Sequence, residues 1–178
     1  ASIGAVTQPL NYNYTGPELH YMLTDSDAEF LVIDAGLLPV FEGMEEVVLP
    51  KDRVLVVGAR AEGYPHHWDD LVPGAAESFT PAREPSLDDL MNIQYTSGTT
   101  GMPKAALLTH RGRSHWGKVA INDFGLDEDE IGMVAAPLYH AAGGFIWFAP
   151  TLMAGGSAVI QGHWDVADFI AGVERHSG

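Results

Sequence analysis

Residues 95–104 read YTSGTTGMPK, and the segments on either side, NIQY (92–95) and AALLT (105–109), have the composition of strands. Ten residues hold three threonines, a serine, two glycines, a proline and Lys104. Gly98 and Gly101 let the backbone reach positive φ and come close to a ligand. Successive N–H groups in such a turn make a concave anion site. The hydroxyls of Thr96, Ser97, Thr99 and Thr100 add donors, Lys104 adds a point charge, and Pro103 stiffens the exit. These ingredients suit a polyphosphate. The spacing differs from G-x-x-x-x-G-K-[ST], because Gly98 and Gly101 are three apart and Ala105 follows the lysine. No G-x-G-x-x-G occurs either, so dinucleotide binding has no support.

Composition narrows the field around this loop. The chain has 178 residues, 46% hydrophobic and 19% charged, which fits a globular domain or a substantial piece of one. Its 24 acidic and 9 basic residues give a net charge of -15, which repels nucleic acid and anionic lipid and leaves phosphate binding to local dipoles and one or two cations. Cysteine is absent, which excludes disulfides, thiolate metal sites and a cysteine nucleophile. The opening ASIGAVTQPLNYNY lacks the basic and apolar regions of a signal peptide. The most apolar segment, 133–160, is broken by Pro137, His140, Pro150 and several glycines, so no integral membrane segment is expected and the expected location is cytoplasmic.

Outward from the loop, the pattern alternates strands and helices. Thr15-Gly16-Pro17-Glu18 forms a capping box that opens a helix with Leu19, Met22 and Leu23 on its apolar face. Glu29–Asp34, Val47–Leu49 and Val54–Val57 read as short buried strands, and 58–86 as a surface excursion rich in loops. Beyond the phosphate loop, Arg113–Asp123 reads as helix and Ile131–Ala135 and Ser157–Gln161 as strands. Val166, Phe169, Ile170 and Val173 recur at helical spacing after the cap Asp165. The predicted fold class is α/β, with mainly parallel sheets flanked by helices. Both ends are abrupt, and a sheet organised this way is expected to continue beyond them.

The stretch YTSGTTGMPKAALLTH resembles the signature phosphate loop of the adenylate-forming superfamily, which includes acyl- and aryl-CoA synthetases, peptide-synthetase adenylation domains and luciferases. GAVTQPLN (4–11), the helix and strand of 18–32, PLYHAAG (137–143) and AGGSAVI (154–160) follow in that family's order and spacing. Ala105 stands where the family usually has glycine. The resemblance covers nearly the whole chain, with 58–86 its least typical part, and implies that residues 1–178 are part of the large N-terminal domain of such an enzyme. The Y-G-x-T-E and T-G-D motifs, the hinge and the C-terminal domain with its catalytic lysine are absent from this sequence.

By resemblance, the chemistry is ATP-dependent acid–CoA ligation. A carboxylate attacks the α-phosphate of MgATP to give an acyl-adenylate, and CoA then takes the acyl group. Thr96, Ser97, Gly98, Thr99, Thr100 and Gly101 would wrap the β- and γ-phosphates, and Lys104 would help neutralise them. His140, beside Tyr139, would orient the carboxylate or gate the acyl channel; taken without the family, a lone histidine in an apolar run is a hydrogen-bonded core residue. The implied cosubstrates are a carboxylic acid, ATP with Mg2+, and CoA.

No protein metal site is expected. His66 and His67 are adjacent, His110 and His115 are five apart, and Asp127–Glu130 lacks the calcium-loop pattern. Two other readings stand beside the ligase: a peptide-synthetase adenylation domain, whose loop more often reads S-G-S-T-G, and a non-catalytic nucleotide-binding or interaction module. An isolated piece is expected to be inactive and to self-associate through uncovered sheet edges.

Overall fold

The computed structural model of the chain describes residues 3–76, 78–81, 83–96 and 102–176. It divides into two compact units, Asn11–Thr80 and the remainder, Ala1–Leu10 with Pro81–Gly178.

In the unit Asn11–Thr80, helix α1 (Gly16–Asp25) begins at the anticipated capping box. Thr15 N and Oγ1 both donate to Glu18 Oε2 at 2.8 Å. The backbone N–H and hydroxyl of Thr15 hold that carboxyl below its usual range. Leu19, Met22 and Leu23 are buried. They share a core with strands β1 (Leu31–Asp34) and β2 (Val54–Val57) and the short helix α2 (Leu38–Glu42). β1 alternates strictly, with Leu31 and Ile33 buried and Val32 60% exposed, as a strand with one covered face must.

β1 and β2 pair in parallel, and β2 pairs in parallel with β3 (His66–His67), which leads into the short helix α3 (Trp68–Leu71). The stretch 58–86 is therefore more than a surface excursion. His67 is buried and sits with Nε2 2.9 Å from Gly58 O, while its Nδ1 accepts from Asp69 N at 3.2 Å. Both ring nitrogens are occupied, so this histidine closes the sheet edge. The expected strand at Val47–Leu49 does not form. Val47 is 85% exposed and only Leu49 is buried; Pro50, which lacks an N–H, turns the chain into the 3-10 turn Lys51–Arg53 instead.

The second unit carries β4 (Leu90–Thr96), β5 (Lys104–Thr109), α4 (His110–Phe124), β6 (Ile131–Val134), the π-helix Ala142–Phe148, α5 (Ala149–Met153), β7 (Ser157–Ile160) and α6 (Val166–His176). β6 and β7 are parallel. β4 and β5 are antiparallel, because the connection between them is too short for the crossover that parallel pairing needs. Thr7 joins β4 from the other side, with Thr7 N bonded to Met91 O and Ile93 N to Thr7 O. α4 starts earlier than expected because Thr109 caps it, its Oγ1 accepting from Gly112 N at 3.2 Å. It stops at Gly125, whose φ of 66° suits glycine. Gly117 lets α5 approach closely through Met153, and Gly132 of β6 does the same for Thr151. Among the described residues no helix is long and apolar enough to cross a membrane.

The two faces of β1 make opposite predictions. Ile33→Ala is expected to cost about 2–5 kcal/mol, whereas Val32→Thr changes stability by less than about 0.5 kcal/mol. Urea unfolding of the two variants measures both.

Candidate active site

The site is built on the hairpin. In its register Asn92 lies opposite Leu108, Gln94 opposite Ala106 and Thr96 opposite Lys104. Opposed residues share a face, so Asn92, Gln94 and Thr96 lie on the same side as Lys104. Thr96 and Lys104 flank the loop 97–103, and Thr96 Oγ1 donates to Lys104 O at 3.4 Å. Lys104 is exposed and makes no ion pair among the described residues. Ser97, Gly98, Thr99, Thr100 and Gly101 lie outside the described residues. Ala105 sits inside β5 opposite Tyr95, in extended backbone where alanine carries no penalty.

Below the mouth the hairpin is fixed to α4. His110 N donates to Asp89 O and Arg111 N to Leu87 O. Arg111 also grips Asp88 with Nε at 2.8 Å and Nη2 at 3.1 Å, and this bidentate guanidinium holds the Asp88 carboxyl below its usual range. Arg111 thus faces solvent. His110 is half-buried at the base of the hairpin.

His140 lies in the segment between β6 and the π-helix. Its N donates to Pro137 O at 3.0 Å, and its carbonyl accepts from Gly144 N at 3.0 Å. Ala142 N donates to the Nδ1 ring atom at 3.1 Å. A nitrogen that accepts carries no proton, so the neutral ring holds its proton on Nε2. The exposed His140 therefore presents a donor, not the interior of a packed core. Gln94 joins this segment to the hairpin, Nε2 donating to Tyr139 O at 3.0 Å. One strand thus carries both the residue that anchors the His140 segment and, two positions later, Thr96 at the start of the hydroxyl-rich loop.

Glycine makes that geometry possible. A Cβ on Gly143 would fall inside contact distance of Ala136 O and Pro137 O, and one on Gly144 would do the same with Leu138 O. The wide π turn packs its backbone directly on the incoming chain, an arrangement often found at functional sites.

Sequence reasoning missed Asn92, Gln94 and Arg113. Asn92 is buried and accepts from Arg113 Nε at 2.7 Å. The available signal was polar residues at alternate positions of an otherwise apolar strand. Among the described residues no three His, Asp or Glu side chains come together to hold a metal.

A parallel α/β chain interrupted by one antiparallel hairpin, with a hydroxyl and an exposed ammonium at its mouth, is the framework of an adenylate-forming domain. A family model for AMP-binding enzymes matches residues 1–177, and the chain belongs to that family. It is 36% identical over 174 residues to a feruloyl-CoA synthase of Amycolatopsis sp, covering 97% of this chain and 32% of that protein. A crotonobetaine/carnitine–CoA ligase of Salmonella typhi is 30% identical over 145 residues, covering 79% of this chain and 28% of the ligase. Among solved structures, the anthranilate CoA ligase AuaEII in complex with anthranoyl-AMP superposes with a TM-score of 0.84 at 25% identity, over 98% of this chain and 34% of that one. ATP-bound MatB from Rhodopseudomonas palustris gives 0.77 at 29% identity, over 96% and 32%. The chain spans about a third of the length of these relatives.

Gly143→Ala is expected to push the Pro137–His140 backbone aside and lower stability by about 1–3 kcal/mol. Gly162→Ala, with nothing within 4 Å, leaves it unchanged. Melting curves of the two variants compare them directly.

Proposed function

We propose that this chain supplies the ATP-phosphate side, and one wall of the acyl side, of a cytoplasmic acid–CoA ligase. In that enzyme a carboxylate becomes an acyl-adenylate with release of pyrophosphate, and CoA takes the acyl group. The observation that carries the reading is the hairpin mouth, where Thr96 faces Lys104, which makes no ion pair among the described residues, in a chain of net charge -15. Negative charge gathers on the departing pyrophosphate, and donors fixed beforehand lower the barrier to its departure. Thr96 through Gly101 would supply those donors and Lys104 the cation. The loop also fits ATP as a substrate because its Mg2+ can arrive with the phosphates.

His140 would take the acid. Its Nε2–H donates to a carboxylate oxygen, and Nδ1 is held by Ala142 N, so the ring is oriented before the substrate arrives. Because the residues here cover the phosphates and one acyl wall, the nucleoside side would come from further chain of the same enzyme. CoA is preferred over a carrier protein because the loop reads G-T-T-G and the relatives above are CoA ligases.

The expected experiment is ATP–pyrophosphate exchange with the full natural polypeptide and a carboxylate panel, beginning with ferulate- and anthranilate-like acids. Lys104→Ala should lower kcat by about 10²–10³-fold. His140→Ala should raise KM for the acid by roughly 10–100-fold, the value of a hydrogen bond to a charged group, and leave KM for ATP little changed. Absence of exchange with every acid, combined with tight MgATP binding by residues 1–178 alone, would replace this reading with a non-catalytic nucleotide-binding module. For the isolated chain we expect no acyl-CoA formation, and self-association on gel filtration.

A further inference from the structure

Arg113 has no place in the chemistry above, yet its surroundings are unusual for this chain. Arg60, Arg83 and Arg111 each pair with an aspartate, and all three are exposed. Arg113 is half-buried and, among the described residues, pairs with no acid. Its Nε donates to the amide oxygen of the buried Asn92, and its guanidinium lies on the Phe145 ring, 3.4 Å from the centroid. Arginine only donates, so the Asn92 oxygen must face it and the Asn92 Nδ2 must point away. Asn92 Nδ2, Arg113 Nη2 and Gln94 Oε1 are all buried without partners. Burial without a counter-charge also pushes the Arg113 guanidinium down from its ordinary value. Stability alone would favour an apolar residue here.

The geometry accounts for that cost through position. Arg113 and Trp116 are one turn apart on α4 and share a face. Trp116 Nε1 donates to Phe145 O at 3.0 Å while Arg113 covers the Phe145 ring. From the other side, Gln94 of β4 holds Tyr139 O, and Asn92 of the same strand face holds Arg113. The segment from Tyr139 to Phe145, with His140 inside it, is thus clasped at both ends. Arg113 is the only side chain in this set that touches both Phe145 and β4.

We propose that Arg113 is a positioning residue for His140, fixing the segment that carries it against the strand that ends in Thr96. The catalytic part of this inference rests on the acid–CoA ligase reading above; the structural part does not.

The test uses the full natural polypeptide. Arg113→Met keeps the length and the apolar stem but removes the bond to Asn92. Arg113→Lys keeps the charge without the planar fork. Lys118→Met, on the same helix but facing solvent, is the control. In exchange kinetics Arg113→Met should lower kcat by about 10–100-fold, the cost of a displacement of about 1 Å, with KM for ATP unchanged. Arg113→Lys should not rescue it, Lys118→Met should behave as wild type, and the melting temperature of Arg113→Met should not fall. Hydrogen exchange by mass spectrometry should be at least about tenfold faster in peptides covering 139–148 and unchanged in 131–134 and 157–160.

Unchanged exchange in 139–148 overturns the proposal whatever the enzyme does. So does a loss in which kcat, both KM values and the melting temperature decline together, since a merely structural residue would behave that way. If the wild type activates no acid but 139–148 still loosens, the ligase reading fails and the positioning stands.

Discussion

A loop proposed to hold a polyphosphate needs both of its ends fixed, and among the described residues that task falls to one antiparallel pair in a chain whose other sheets are parallel. The Thr96–Lys104 pair closes the loop. Thr7 flanks β4, and the backbone bonds from His110 and Arg111 to Asp89 and Leu87 tie the start of α4 to the start of β4. Each such bond contributes only about 0.5–1.5 kcal/mol net. The stiffness comes from their number and from closure of a ring in which strand, hairpin, helix cap and ion pair all constrain the same few residues. Remove any one and the loop's ends can still drift together; the pair at the mouth is the single element whose loss frees them separately.

A net charge of -15 opposes the proposed phosphate site only over short distances. At physiological ionic strength, charges beyond about 8 Å are largely screened. What matters at the mouth is that Lys104 has no acid paired with it among the described residues, while Asp70, Asp88 and Asp89 are each occupied by an arginine elsewhere. The general negative field then acts as a filter. Under the proposed function it would discourage loose association with phosphate-rich surfaces.

Legibility in the sequence followed locality. Thr15 and Glu18 meet within one turn, and the buried β-branched run of β2 needs no distant information, so both were readable. The hairpin was readable because glycine and proline punctuate it. Val47–Leu49 misled because three apolar residues suffice to suggest a strand but not to find it a partner. β3 was hidden because two residues carry no period, and His67 is buried only through Gly58 O and Asp69 N. The clasp around Phe145 was invisible for a stronger reason. Its bonds join residues 21, 29 and 45 positions apart, and no local pattern encodes such a pairing. The π turn depends likewise on glycines whose purpose appears only when Ala136, Pro137 and Leu138 are beside them.

The strand β4 also sets a length. Gln94, which holds Tyr139 O, and Thr96, at the mouth of the loop, are two residues apart on one face, a separation of roughly 7 Å along a strand. In the proposed reaction the acid and the phosphate must meet with reacting atoms about 3–3.5 Å apart, and small misplacements are costly. A histidine carried on an independent loop would vary its distance from the phosphates with every fluctuation of that loop. Fastening its segment to the strand that launches the phosphate loop makes the two halves of the site move together. That also explains why polar side chains are tolerated in the interior of β4: an apolar strand would pack as well but could not grip a carbonyl or a guanidinium at a defined height.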